Sequence, residues 1–261
     1  MSKSTLVKKT LLSLSIAAMM AGAQSALAYE AGDIILRGGA AVVDPNESSS
    51  PISVDSVQAV PGASGLAGNA KVGVGSDTQL GLTLSYMYSS NFGIELLAAT
   101  PFTHDIAGAG DIAGIGKLAE TTHLPPTLTA NYYFNEPSAD FQPYIGAGIN
   151  YTIFFSEEVT PTLDNAGTID ALAGLALGTP AGTVTSASGT NIDLNDSWGL
   201  AIHMGFDYKL TEDIGLNVAY WNINIDTTAE ITSETNLGQV KAHVDVDIDP
   251  SVYMAGIYYK F

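Results

Sequence analysis

The sequence contains no cysteine. That excludes a disulfide framework, a CxxC redox site and a cysteine-ligated zinc. It also excludes a lipoprotein anchor, which is built on a cysteine. Positive charge is scarce: nine Lys and Arg stand against 27 Asp and Glu, for a net charge of −18 over 261 residues. A nucleic-acid partner needs a basic face, and this chain has none to offer. Only 14% of residues are charged while 46% are hydrophobic, which is not the composition of a disordered chain. Long apolar runs are missing too. Beyond residue 28 nothing approaches the ~18 consecutive apolar residues of a membrane-spanning helix. Catalytic signatures are equally absent: no GxSxG, no HExxH and no P-loop. Gly146-x-Gly148 falls inside a strand pattern, where glycine relieves crowding rather than cradling a phosphate. No enzymatic activity, metal or cofactor is expected.

What is present begins with the N-terminus. Lys3, Lys8 and Lys9 form a positive n-region, Leu11 to Ala23 an apolar stretch, and Ala26-Leu27-Ala28 a small-x-small cleavage site. This is the pattern of a secretory signal peptide over 1–28, cut between Ala28 and Tyr29, so residues 29–261 form the exported chain.

The rest of the chain alternates with period two, the signature of half-buried strands. From Ser197 to Leu210 every even position is apolar or aromatic (Trp198, Leu200, Ile202, Met204, Phe206, Tyr208, Leu210), and the odd ones are polar or small. At roughly 3.3 Å per residue and a tilt near 40°, Trp198 and Tyr208 stand about 25 Å apart along the barrel axis. That is the height of an outer-membrane apolar band between two aromatic girdles. Similar alternation marks Asp33–Asp44, Leu80–Tyr88, Phe92–Ala99, Leu128–Phe134, Ile145–Phe155, Ile214–Ile225 and His243–Phe261, eight strands in all. Short connections (Ser89 to Asn91, Asn135 to Asp140, Thr211 to Asp213) alternate with long ones (Pro45–Asp77, Asp105–Thr122, Ser156–Asn195, Thr232–Ala242). The third long loop includes Thr168–Leu177, with room for one or two helical turns. The stretch from Gly62 to Gly75 reads as a glycine-rich loop. Such asymmetry belongs to an all-β, eight-stranded antiparallel transmembrane barrel with short periplasmic turns and long extracellular loops. The rival is a soluble ligand-binding barrel of lipocalin type, with its apolar face turned inward. Aromatics at strand ends, the loop asymmetry and a last strand ending on Phe261 favour the membrane. The run Tyr253, Ala255, Ile257, Tyr259, Phe261 looks like the signal read by the outer-membrane barrel assembly machinery.

Several blocks then carry a resemblance. They include Glu30 to Asp33, Gln79 to Thr83, Gly93 to Phe102, His123 to Leu128, Pro143 to Thr152, Asp196 to Gly199 and Asp226 to Ala229. In this order they make the chain similar to the outer membrane protein W family of small eight-stranded barrels. The first and third loops look longer than usual and the acidic excess is large, so properties that depend on loops do not carry over. The resemblance implies location in the cell outer membrane, among its lipids and lipopolysaccharide. It also implies passive passage of small hydrophobic molecules through an apolar lumen, with sideways release into the membrane. The alternative is a closed structural or surface-interaction barrel.

Residues that would carry such a role sit in the inward register. An inert barrel fills its lumen with polar networks, whereas this register includes Met87, Leu97, Ala99, Pro101 and Trp221. Leu97 and Trp221 are expected to narrow the lumen into an apolar constriction, with plain lumen packing as the alternative. Pro101 precedes the second long loop, and Pro125 and Pro126 follow it. Proline donates nothing to a ladder, so the pairing there is expected to break, either as a lateral opening or as a bent strand top. His104 and His123 flank the same loop and could meet at the mouth, as a hydrogen-bonded pair more readily than as a metal site. Asp245, Asp247 and Asp249 alternate, and read as one acidic face of a solvated strand extension or a weak divalent site.

Overall fold

A computed structural model of the chain describes residues 29–261; the expected signal peptide, 1–28, lies outside the described residues. Eight long strands form the barrel: β1 (Ile34–Asp44), β2 (Asp77–Ser89), β3 (Phe92–Ala99), β4 (Thr127–Tyr133), β5 (Phe141–Val159), β6 (Ser197–Lys209), β7 (Ile214–Ile223) and β8 (Ser251–Lys260). Each pairs antiparallel with its sequence neighbour, and β1 with β8 closes the ring. Closure leaves no unpaired edge, the condition for strands to cross a bilayer. The last residue takes part, its N–H bonding to the Ile34 carbonyl at 2.9 Å.

Alternation then sorts the side chains. Leu80, Leu82, Leu84, Tyr86 and Tyr88 of β2 face outward and exposed, while Gly81, Thr83, Ser85 and Met87 are buried. On β6, Trp198, Leu200, Ile202 and Met204 are each more than half exposed, with Ala201, His203 and Asp207 inside. An apolar exterior around a partly polar lumen is the membrane arrangement and the inverse of the lipocalin one. Aromatic rings collect at both rims. Tyr151 and Trp198 pack at 4.5 Å at the long-loop end; Tyr132 with Phe134, and Tyr259 with Phe261, do so at the short-turn end. Inside, glycines are dictated by crowding. A Cβ on Gly146 would overlap His203 and Asn131, and one on Gly148 the Leu128 carbonyl.

The long connections differ from the expected exposed loops, because nearly half of their residues form strands beyond the long-loop girdle. The far end of β5 pairs with Lys117–Leu124, which pairs with Phe102–Gly110, which pairs with Ala70–Val74. A second sheet runs Ala187–Leu194, Asp226–Thr235, Gly238–Asp247, Ser53–Val57, Gly65–Leu66. The glycine-rich stretch from Gly62 to Gly75 therefore carries two strands. Helix α1 (Ala166–Leu177) has 12 residues, about three turns rather than one or two. Asn165 caps its first turn by accepting from the Gly167 N–H at 2.8 Å, and Gly178, at φ 66°, ends it. Ile169, Leu172 and Ala173 are the buried face.

One strand boundary is corrected. His243–Phe261 is not continuous: Gly238–Asp247 belongs to the upper sheet, β8 begins at Ser251, and Asp249 turns the chain at φ 37°. The Asp249 carboxylate is occupied, accepting from the Ile225 N–H at 3.1 Å. Asp245 and Asp247 face solvent on the extended strand. Among the described residues no group of three or more His, Cys, Asp or Glu is placed to hold a metal.

Candidate functional site

The lumen is layered. Nearest the short turns, three charges sit at inward positions, one on each of three strands: Arg37, Glu95 and Asp207, all exposed by 1% or less. All five guanidinium N–H groups are used. Nε and Nη2 donate to Asp207 at 3.0 and 2.6 Å, Nη1 to Glu95 and Ser85 at 2.7 and 2.6 Å, and Nη2 also to the Tyr133 hydroxyl at 3.0 Å. Tyr29 and Asn217 add donors to Asp207 at 2.5 and 2.8 Å, and the Tyr144 ring lies 5.4 Å from the guanidinium carbon. Charges within a membrane-spanning region persist when they face inward and pair. Here they form a buried floor in which every guanidinium donor is used, while the Glu95 Oε1 and Asn217 Oδ1 atoms have no hydrogen-bond partner. The expected apolar lumen is thus confined to the outer half of the barrel. Met87, expected to line it, lies instead among Tyr29, Ile35, Tyr133, Tyr144 and Tyr258 near the short turns.

The missed floor had a sequence signal. Arg37, Glu95 and Asp207 are charges at inward positions of strands whose other charged residues, Asp44 and Lys209, stand at the strand ends, a placement tolerable only if they meet.

Above the floor lie Leu97 and Trp221, 6% and 1% exposed. β3 and β7 are four strands apart in either direction round the ring, so the two side chains come from opposite walls. Both belong to one apolar cluster with Ala41, Ala201, Ala219 and Met254, and Trp221 stacks on His203 at 5.3 Å.

Above these two side chains, beyond the Tyr151–Trp198 girdle, is an apolar cavity of about 50 Å³, walled by Val72, Ile106, Leu118, Phe154, Ile192 and Val244 among others. His104, His123 and Thr121 are the polar residues on the barrel side of its lining. The two imidazoles do meet: their Nε2 atoms are 3.0 Å apart. They are buried in the cavity wall rather than standing at an open rim. Burial holds both below the ordinary imidazole value, and takes His123 down to about 3.

The prolines lie within an interruption of strand pairing beside this cavity. β3 pairs with β4 up to Leu97–Thr127, and pairing resumes at Phe102–His123. Four residues of one strand (98–101) face three of the other (124–126), so the first carries a bulge. The extra residue flips the alternation: Glu95 and Leu97 are buried below it, Phe102, His104 and Ile106 above it. Pro101 is accordingly exposed on the outside, not in the lumen as simple alternation expects, and Ala99 is half-buried. Pro125 is buried and Pro126 half-buried. Between β4 and β5 register is kept across the proline pair, from Thr127–Asn150 to Leu124–Ile153, with the Tyr151 N–H bonded to the Pro126 carbonyl. Pro126 thus faces β5, and Pro125 by alternation faces β3. The Thr100 N–H bonds to the Leu80 carbonyl of β2, so Pro101 faces β4. Two of the three missing amides therefore point into the same β3–β4 gap.

Residues 30–178 and 178–261 match the model of the OmpW family. Outer membrane protein W of Vibrio cholerae serotype O1 is 39% identical over 256 residues, covering 98% of this chain and all of that one. The crystal structure of the outer membrane protein OprG from Pseudomonas aeruginosa shares 43% identity at a TM-score of 0.72, over 89% of this chain and 97% of that one. A more distant relative, the dibenzothiophene metabolism operon protein PahQ of Pseudomonas aeruginosa, is 25% identical over 183 residues, 69% of this chain and 71% of its own. The described barrel, its exposed apolar band and these matches agree: the chain belongs to the OmpW family of outer-membrane β-barrel proteins.

Proposed function

We propose that this protein passes small hydrophobic molecules passively across the lipopolysaccharide-bearing outer leaflet and releases them sideways into the membrane. The observation that carries this is the juxtaposition of three features: an apolar cavity above the girdle, a buried ionic floor below it, and a broken ladder at the level between. A molecule entering the cavity meets Leu97 and Trp221, the proposed constriction, and below them fixed charges it cannot solvate against. The remaining way out is the β3–β4 gap, where Pro101 and Pro125 withhold the amides that would close it. An aromatic, apolar compound in the name of the relative PahQ is in keeping with this class of solute.

The test is uptake of toluene by cells with and without the protein, and by cells carrying Pro101→Thr with Pro125→Thr. Protein-dependent uptake that the double variant lowers several-fold is the expected result; Pro126→Thr, which faces β5, serves as the control. Undiminished uptake by Pro101→Thr/Pro125→Thr would sink the lateral route. The sealed floor favours a second reading, a closed structural or surface-interaction barrel, and equal uptake with and without the protein would support it. We propose likewise that the barrel assembly machinery recognises Phe261 and that the acidic upper sheet contacts lipopolysaccharide.

A further inference from the structure

The cavity wall is apolar except for His104, Thr121, His123 and Thr227. The Thr227 hydroxyl is occupied, donating to the Asn195 carbonyl at 2.7 Å, whereas the hydrogen bonds among the other three are incomplete. The His104 Nδ1 lies 2.5 Å from the Gly75 carbonyl. A carbonyl only accepts, so Nδ1 carries the proton, and a neutral ring leaves Nε2 bare. That Nε2 then accepts from the Nε2–H of His123 at 3.0 Å. The chain of tautomers ends on the His123 Nδ1, a bare lone pair. It is buried and has no hydrogen-bond partner among the described residues, and neither has the hydroxyl of Thr121 two residues away. Both residues are more than nine-tenths buried and line the cavity. His123 is held in place from both sides, tilted against Phe102 at 5.7 Å and stacked on Phe154 at 5.7 Å. It is also the residue that pairs with Phe102 where the ladder resumes above the β3–β4 gap.

We infer that the cavity is a binding subsite for small hydroxylated apolar molecules, phenols above all, whose O–H donates to the His123 Nδ1 and accepts from the Thr121 hydroxyl. A pure hydrocarbon fills the same walls but leaves both polar atoms unmet, at a cost felt as lost affinity. Size agrees. A cavity of about 50 Å³ holds on the order of four waters, roughly 120 Å³ of liquid, which is the scale of one benzene ring. The inference rests on the channel reading and names its solute class: apolar body, one hydrogen-bond donor.

The experiment compares phenol with benzene, with anisole as a third probe that accepts but does not donate. Binding is measured on the purified full barrel in lipid vesicles, corrected for partition into protein-free vesicles, for wild type, Thr121→Val and His123→Phe. The wild type is expected to prefer phenol over benzene by about tenfold, with anisole close to benzene. His123→Phe, which keeps the stack on Phe154, abolishes the preference, and Thr121→Val, which keeps the shape, reduces it. In ¹⁵N-labelled protein phenol should move the His123 Nδ1 resonance, and benzene should not. Equal affinity for phenol and benzene in the wild type overturns the inference, as does a preference that His123→Phe leaves intact. The two readings separate cleanly in a parallel uptake assay. Protein-dependent uptake of both solutes at equal rates keeps the channel and removes the subsite, whereas protein-independent uptake of both removes the channel and the subsite with it.

Discussion

Replacing Arg37 by Met tests the ionic floor directly. Methionine keeps the length and apolar stem of arginine but none of its donors. Asp207 and Glu95, both wholly buried, would then face each other across the lumen without the cation they share. Tyr29, Asn217 and Ser85 would still donate to them, but these neutral groups carry no compensating charge. Removing one partner of a buried ion pair costs about 3–5 kcal/mol, because the other charge is left without compensation. Here two carboxylates are stranded, so the upper part of that range applies. With a urea slope of about 2 kcal/mol per molar, the unfolding midpoint should fall by roughly 2 M. The assay is reversible urea unfolding of the barrel in lipid vesicles, followed by tryptophan fluorescence; Trp221 is buried and reports on the layer above. Adding Glu95→Gln and Asp207→Asn removes the stranded charges, and the triple variant should recover most of the loss. An unchanged midpoint in Arg37→Met would refute the reasoning. So would a triple variant no more stable than the single one, since the cost would then not be charge.

Other outcomes follow from the same layers. Leu97→Ser with Trp221→Ala removes the waist but not the floor, so ionic conductance in a planar bilayer should rise only when Arg37→Ser is added; a rise from the pair alone would show that the floor does not seal. Gly148→Val, whose side chain would overlap the Leu128 carbonyl, should yield little heat-modifiable barrel on a cold gel; wild-type yield would count against the tight β4–β5 approach. His243 donates to Asp55 at 2.7 Å, which raises its pKa above 6.5. That contact contributes stability below pH 6.5 and loses it as pH rises through the raised value, so an NMR titration should place the His243 midpoint above 6.5. His123 behaves in the opposite sense: with its pKa near 3, stability rises with pH between about 3 and 6.5, and its ring signals should not move from pH 8 to 5. A His123 midpoint near 6.5 would contradict its burial.

The barrel was legible because alternation and girdle spacing are local in sequence. β3 is observed over Phe92–Ala99, as the alternation predicts. What alternation cannot carry is a change of phase. Pro101 marks the bulge, but only the pairing of Phe102 with His123 shows that the strand has gained a residue and turned Pro101 outward. The inward placement of Leu97 and Trp221 was readable from register. The floor was missed because Glu95 and Asp207 lie 58 and 170 residues from Arg37, so that each looks like an isolated charge. The loops were underestimated for a similar reason: their strands are short and rich in Gly, Ser and Thr, and gain order from partners remote in sequence, as Ser48–Ser49 does from Gly238–Asp247. The histidine pair was anticipated as a meeting of neighbours across a loop, yet its burial, which gives it chemical use, depends on Phe102 and Phe154.

An inner half closed by the ionic floor would make this barrel a cup rather than a pipe. In an open pore, every added copy lowers the resistance of the membrane to salts, sugars and polar toxins, so abundance is bounded by leakage. A cup has no such bound. A floor built on Arg37 held between two carboxylates would let a cell place many copies in the outer membrane without loosening the barrier to water-soluble compounds. Any flux through its side wall follows partitioning into lipid, and so stops when the bilayer is saturated unless something within the cell consumes the solute.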